Sequence, residues 1–242
     1  MANRIPKVIS GRNYGSIPHL LDSKLGFHDR YLDPGQDRII RRGGRDRHDV
    51  VTASLKLDGT NVGVVKLGGQ LTAIQRKGYA CASSPYRQHH EFDGWMHEHY
   101  ARFDSLLREG ERVVGEWLWQ ASGIRYRIEG APFVAFDFFD AVGERLTWAD
   151  IADRLTAAGF DLPPYVQYRK GNTPELGQAL LERLGARSRI TPVGESHEGL
   201  VFRVERRGAF DYMGKWVRAD FEAGRWLPSL GEEQIVRNEI VK

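Results

Sequence analysis

Short strand-like apolar runs dominate the pattern along the chain. Val50–Leu55, Val62–Leu67, Leu71–Arg76, Arg112–Trp117, Phe133–Phe139, Gly199–Val204 and Gly214–Arg218 are each brief and rich in β-branched or aromatic residues, which predicts strands. Gly68-Gly69-Gln70 separates two of these runs and predicts a hairpin turn. Helical spacing of apolar residues appears three times. Glu91–Leu107 carries Phe92, Trp95, Met96, Phe103, Leu106 and Leu107 on one stripe. Trp148–Ala158 follows Thr147, a candidate N-cap, and ends before Gly159. Pro174–Leu184 has proline near its first turn and Gly185 just past its end. Helices interrupting a mostly antiparallel strand pattern predict an α+β fold.

Composition narrows this only a little. The 242 residues are 41% hydrophobic and 28% charged, as in an ordinary globular protein with room for a core. No apolar run approaches the roughly 20 residues of a membrane span, and the N-terminus has no secretory apolar segment, so a cytoplasmic protein without a membrane partner is expected. Cys81 is the one cysteine, which excludes an internal disulfide and a multi-cysteine zinc site. His89, His90, His97 and His99 share one predicted helix but do not align on it, so zinc is not expected there either. Net charge is +3, which permits a nucleic-acid partner without demanding one. The basic residues cluster in RIIRRGGRDR, residues 38–47. Arg41, Arg42 and Arg45 there read either as a phosphate-contacting loop or as a solvated one.

The chemistry centres on SLKLDGTNVGVV, residues 54–65. Lys56 stands at a strand mouth, two residues before an Asp58-Gly59 corner. Burial disfavours a charged amine, and a neutral amine attacks carbonyl carbon or phosphorus. Gly59 lets backbone pass close to a ligand. No GxxxxGK[ST] and no strand-preceded GxGxxG occurs, so a nucleotide would be held by other means.

KLDGTN resembles the nucleophile motif of the covalent nucleotidyltransferases, the superfamily of RNA ligases, DNA ligases and mRNA-capping enzymes. Further segments resemble the later motifs in order: AIQRKGY with Arg76, VVGEWLWQ with Glu116, PFVAFDFFD with Phe136 and Asp137, HEGLVFR with Glu198, and MGKWVRADF with Lys215. Taken alone, Phe136 reads more readily as core. An unpaired Asp137 in so apolar a run would be costly.

The resemblance implies Lys56 as nucleophile toward ATP. It implies nucleotide contacts from Leu55, Asp58, Gly59, Asn61, Arg76, Glu116, Phe136, Lys215 and Arg218. Glu198 and Asp137 would hold or orient Mg²⁺ or Mn²⁺. One departure stands out: where the family has lysine-any-lysine, this chain has Lys215-Trp216-Val217-Arg218, so Arg218 is the candidate for the second cation.

Residues 219–242 are too short for the OB-fold domain that DNA ligases and capping enzymes carry after this unit, which favours the RNA-ligase branch. The expected layout is one domain, with residues 1–49 as an N-terminal extension, 50–218 as catalytic core and 219–242 as a tail. The implied substrate is RNA with 5′-phosphate and 3′-hydroxyl ends. A DNA nick-sealing or capping-type enzyme and a catalytically silent nucleic-acid-binding relative are the alternatives.

Overall fold

The computed structural model describes residues 5–172, 174–227 and 235–241. In chain order the elements are α1 (Pro34–Arg41), β1 (Asp49–Lys56), β2 (Thr60–Leu67), β3 (Gln70–Gln75), α2 (Arg87–Glu98), α3 (Tyr100–Leu106), β4 (Arg112–Trp117), β5 (Tyr126–Glu129) and β6 (Phe133–Phe139). They continue with α4 (Trp148–Ala157), β7 (Tyr165–Tyr168), α5 (Gly177–Gly185), β8 (Ile190–Pro192), β9 (Gly199–Arg206), β10 (Ala209–Val217) and β11 (Glu239–Val241). The α+β mixture of helices with antiparallel sheets is as expected. The chain forms two compact units, each discontinuous in sequence.

The first unit comprises residues 1–15, 59–120 and 131–162. Its four-stranded sheet has the order β3-β2-β4-β6, antiparallel throughout. Gly68 and Gly69, both at positive φ (59° and 73°), close the β2–β3 hairpin in the conformation a two-residue turn requires. Phe92 and Trp95 of α2 and Phe103 of α3 pack on Trp117 and Phe133, so one sheet face is buried by an aromatic cluster. The single stripe expected over Glu91–Leu107 is in fact two helices. They break at His99, whose ring nitrogen donates to the Trp95 carbonyl at 2.9 Å, a side-chain bond that competes with helix continuation. Thr147 caps α4 as expected, accepting from Asp150 N.

The second unit comprises residues 16–58, 121–130 and 163–242. The expected N-terminal extension is therefore split between the two units. A four-stranded antiparallel sheet, β10-β9-β1-β7, carries Val51, Ala53, Leu55, Leu200, Phe202 and Val204 on one face. Leu20, Leu32, Ile40 of α1 and Leu180, Leu181 and Leu184 of α5 complete that core. A small sheet, β11-β5-β8, stands beside it in the same unit.

Two helix expectations need correction. The arginine-rich stretch is not a loop throughout: Asp33 accepts from Gly35 N and Pro34 occupies the first turn, which starts α1 and places Arg38 and Arg41 in its last turn. The helix expected over Pro174–Leu184 begins only at Gly177, since Leu176 is extended (φ −129°, ψ 167°), and Gly185 ends it from within.

Gly199 marks where β1, β9 and β10 come closest. It faces Lys56 on one side and Val217 on the other, and a Cβ there would lie 2.0 Å from the Trp216 carbonyl oxygen. Backbone cannot yield as a flexible side chain can. Gly199→Ala is therefore expected to lower stability by about 1–3 kcal/mol. Urea denaturation measures this, and an unchanged midpoint would contradict the packing described.

Candidate active site

In the second unit, β1 delivers Lys56 at its last residue and β9 begins beside it. Lys56 Nζ donates to Glu198 Oε2 at 2.7 Å. Glu198 is 6% exposed, and burial pushes its carboxyl above the usual carboxylate range although Lys56 opposes the shift. Lys215 lies on β10 opposite Val201, and its amine is pushed below the ordinary lysine value by burial and by the charge of Lys56. Two cations and a buried carboxyl from segments far apart in sequence thus share one end of the sheet.

Asp58 has a more structural task than expected. Its Oδ2 accepts from Gly123 N at 2.5 Å and Ile124 N at 2.9 Å, and its own N–H donates to the Tyr126 hydroxyl at 3.1 Å. Burial raises its pKa, with Lys56 pulling the other way. The carboxylate ties the turn after Lys56 to residues 123–126 and feels Lys56 electrostatically. Tyr126 was not singled out by sequence, because nothing in residues 54–65 signals a partner so far along the chain.

Leu55 and Arg218 differ from expectation. Leu55 is 2% exposed within the core, so its side chain is unavailable to a nucleotide. Arg218 is buried and already neutralised. It pairs with Glu195 and, at 2.8 Å, with Asp220, while its Nε donates to the His197 carbonyl at 3.0 Å and its backbone N donates to the Glu198 carbonyl at 3.1 Å. It braces the backbone carrying Glu198 rather than supplying a second cation beside Lys215.

The first unit gathers a different set. Glu116 Oε1 accepts from Gly59 N at 3.2 Å, and Asn61 lies opposite Glu116 in the β2–β4 register. A Cβ on Gly59 would meet the Trp117 carbonyl at 2.6 Å, so the corner needs glycine for space. The Oδ1 of Asn61 is buried with no hydrogen-bond partner among the described residues, a costly state for a group without a ligand. Arg76 is exposed, its Nη2 donating to the Gly15 carbonyl at 3.3 Å.

Phe136 and Asp137 sit at a bulge in β6. Val114 pairs with Asp137 but Gly115 pairs with Ala135, so Phe136 is the extra residue. In a strand otherwise buried throughout, Phe136 alone is half-exposed, with its ring edge-on to Tyr14 at 5.3 Å. That favours an aromatic presented for stacking over one consumed by the core.

Asp137 does not stand ready for a metal. It is fully buried, Oδ2 accepts from Arg145 Nε at 2.7 Å, and Oδ1 accepts from Phe138 N at 3.0 Å. The cost foreseen for a charge in this run is met by an internal ion pair. Arg41 and Arg45 are likewise engaged. Arg41 bonds Asp37 at 2.6 Å and Asp22 at 2.5 Å, and Arg45 bonds Asp49 at 2.7 Å and also Asp211. Of the three expected phosphate contacts, Arg42 is the one that is exposed and has no acid partner among the described residues.

The strand-end lysine held against a buried glutamate, with a second lysine on the neighbouring strand, defines a site suited to phosphoryl groups. The chain belongs to the RNA ligase family, whose model matches residues 49–217. No curated protein matches the sequence. Among solved structures, the Naegleria gruberi RNA ligase with PPi aligns over 90% of this chain and 60% of its own at 12% identity, TM-score 0.52. A variant of that ligase with ATP and Mn aligns over 84% and 59% at 13% identity, TM-score 0.50. An archaeal ATP-dependent RNA ligase gives 84% and 48% at 17% identity, TM-score 0.49. The Naegleria structures share the fold, and the chain spans 48–60% of the length of the three.

If Asp137 is structural, Asp137→Ala removes the acid partner of Arg145 and is expected to cost about 3–5 kcal/mol in urea denaturation. The same variant is expected to keep the metal requirement of whatever nucleotide chemistry the protein performs, and a specific rise in the metal concentration needed would restore the metal role.

Proposed function

We propose that this RNA ligase family member is an ATP-dependent enzyme that seals RNA ends through a covalent lysyl-AMP. The observation that carries the reading is the Lys56–Glu198 contact at 2.7 Å, formed where β1 and β9 meet and flanked by Lys215. In the first step Lys56 Nζ, as the neutral amine, attacks the α-phosphorus of ATP, a P–N bond forms, pyrophosphate leaves and the nitrogen gives up a proton to solvent. The AMP then passes to a 5′-phosphate, making a 5′–5′ pyrophosphate and freeing Lys56. A 3′-hydroxyl finally attacks that activated end, the phosphodiester bond forms and AMP departs. Covalent catalysis replaces one difficult displacement with easier ones.

Each residue has a physical task in this scheme. Glu198 holds the amine at a fixed point, which favours in-line approach. Lys215 places positive charge where the α-phosphate oxygens gain negative charge. Within the first unit, the resemblance matches half-exposed Phe136 to the base and Glu116 and Arg76 to the sugar and phosphate, and Asn61 has a buried carbonyl oxygen without a partner among the described residues.

A divalent cation, as in the manganese-containing Naegleria structure, supplies further charge neutralisation on the phosphoryl oxygens when bound. Among the described residues no group of three or more His, Cys, Asp or Glu side chains could hold an ion unaided. Mg²⁺ and Mn²⁺ at such sites use one or two carboxylates with water and substrate oxygens, and Glu198 would be one of them. Of Arg41, Arg42 and Arg45, Arg42 is the one open to RNA phosphates.

The test is intact-mass measurement after incubation with ATP and Mg²⁺ or Mn²⁺. The wild-type chain is expected to gain one adenylate, and Lys56→Ala none. A labelled Lys56→Ala protein would remove Lys56 as nucleophile, while transfer of GMP from GTP would favour a capping-type reaction. Glu198→Ala is expected to slow adenylate gain on the order of a hundredfold. Sealing of nicked RNA against nicked DNA then assigns the strand preference, with RNA expected.

A further inference from the structure

Residues 16–33 carry no recognisable motif, yet they are bonded along the strand that bears Lys215. Leu20 N donates to the Lys215 carbonyl at 2.8 Å, and Lys215 N donates to the Pro18 carbonyl at 2.9 Å. Pro18–Leu20 therefore runs parallel to β10 as an added edge, with His19 in register with Lys215.

From His19 a chain of polar contacts returns to the lysine. The ring Nδ1 is 2.7 Å from Ser23 Oγ, and Nε2 is 2.8 Å from Asp29 Oδ2. Lys215 Nζ donates to Asp29 Oδ1 and Oδ2 at 3.4 and 3.3 Å. Ser23 Oγ in turn accepts from Val217 N at 2.8 Å. The network begins and ends on β10, two residues apart, so it registers the lysine head against its own backbone.

Hydrogen accounting fixes the roles. Asp29, as a carboxylate, can only accept, so His19 Nε2 carries a proton; with the ring neutral, Nδ1 is the acceptor, and the Ser23 hydroxyl, which also accepts from Val217 N–H, donates to it. His19 is then the neutral tautomer protonated on Nε2, which donates to Asp29. Burial favours that neutral form, holding His19 below the ordinary histidine value, with Lys215 and Lys56 adding to the shift against the pull of Asp29. Burial raises Asp29, but the His19 hydrogen bond and Lys215 outweigh it, so Asp29 remains a carboxylate.

Lys215 needs such a support. Its side chain is 15% exposed, Lys56 repels it, and Asp29 and Glu198 are the carboxylates acting on it. A lysine stem has four carbons of rotational freedom and readily leaves a poorly defined site.

We propose that Asp29 and His19 are positioning residues for Lys215, fixing where its ammonium meets the α-phosphate of the nucleotide. This rests on the reading of Lys56 as nucleophile and Lys215 as its phosphate cation. It gives the N-terminal segment a place in the reaction sequence: the relay aligns the charge before phosphoryl transfer and touches no reacting atom itself.

Two measurements on Asp29→Asn, His19→Ala and His19→Gln test it. The first is single-turnover adenylate formation across ATP concentrations. Asp29→Asn and His19→Ala are expected to lower the saturating rate on the order of tenfold while half-saturating ATP moves less than about twofold. His19→Gln, whose amide can donate to Asp29, is expected to recover most of the rate, which a purely structural role would not predict. The second readout needs no nucleotide: trace acetic anhydride labelling at fixed pH, with Lys215 read by peptide mass spectrometry. Freed from Asp29, Lys215 is expected to label about threefold or more faster in Asp29→Asn, since an unpaired amine loses its protecting charge partner. Unchanged Lys215 labelling overturns the proposal, as does a rate loss that His19→Gln shares in full. If the wild-type chain gains no adenylate but Lys215 labelling rises as expected, the nucleophile reading falls and the Asp29–Lys215 alignment stands.

Discussion

The contact between Lys56 and Glu198 sets the terms for the rest of its unit. A lysine and a glutamate 142 positions apart meet at 2.7 Å because β1 and β9 are neighbours in a register that places Lys56 opposite Gly199. One residue of slip would turn Lys56 to the apolar face, where Leu55 and Leu200 lie. The alternation of Val51, Ala53 and Leu55 into the core is thus what aims Lys56 away from it. Core packing and site geometry are consequences of one register.

Several other charged residues of both units are held by partners within their own unit. Asp58 is held by backbone N–H groups, Arg218 by Glu195, Asp220 and a carbonyl, Asp137 by Arg145, and Arg45 by Asp49 and Asp211. Buried charges without partners are expensive, and partnered ones hold backbone in place. Arg218 is the clearest case. Its guanidinium and backbone N–H grip residues 195–198, so an arginine matched to a phosphate contact instead fixes the glutamate that meets Lys56.

What could be read from sequence followed the range of the interactions involved. Longer strands rich in β-branched and aromatic residues were legible, and Arg112–Trp117 and Phe133–Phe139 coincide with β4 and β6. The strands β5, β7, β8 and β11 have three or four residues each, too few to display a period. The start of α1 was written in Asp33-Pro34, but the arginine run after it drew attention to charge instead. The break at His99 depends on a side chain bonding a carbonyl four residues back, which the apolar stripe does not encode. Motif residues such as Lys56, Glu198 and Lys215 were legible because resemblance supplied the long-range pairing that periodicity lacks. The partners of Arg218 and Asp137 were not legible, since resemblance assigns a position without saying which local groups already hold it.

His19 and Asp29 show where that limit lies. Lys215 is 186 residues from Asp29, and no spacing rule connects a histidine and an aspartate in an irregular segment to a lysine so distant. Only the backbone pairing of Pro18–Leu20 with β10 makes the three neighbours. A lysine that must keep its charge while largely buried beside another lysine requires a carboxylate nearby, and Glu198 is already bonded to Lys56. Chemistry that asks two amines to act at one end of a sheet therefore asks for two acids, and the second comes from a segment without any motif of its own.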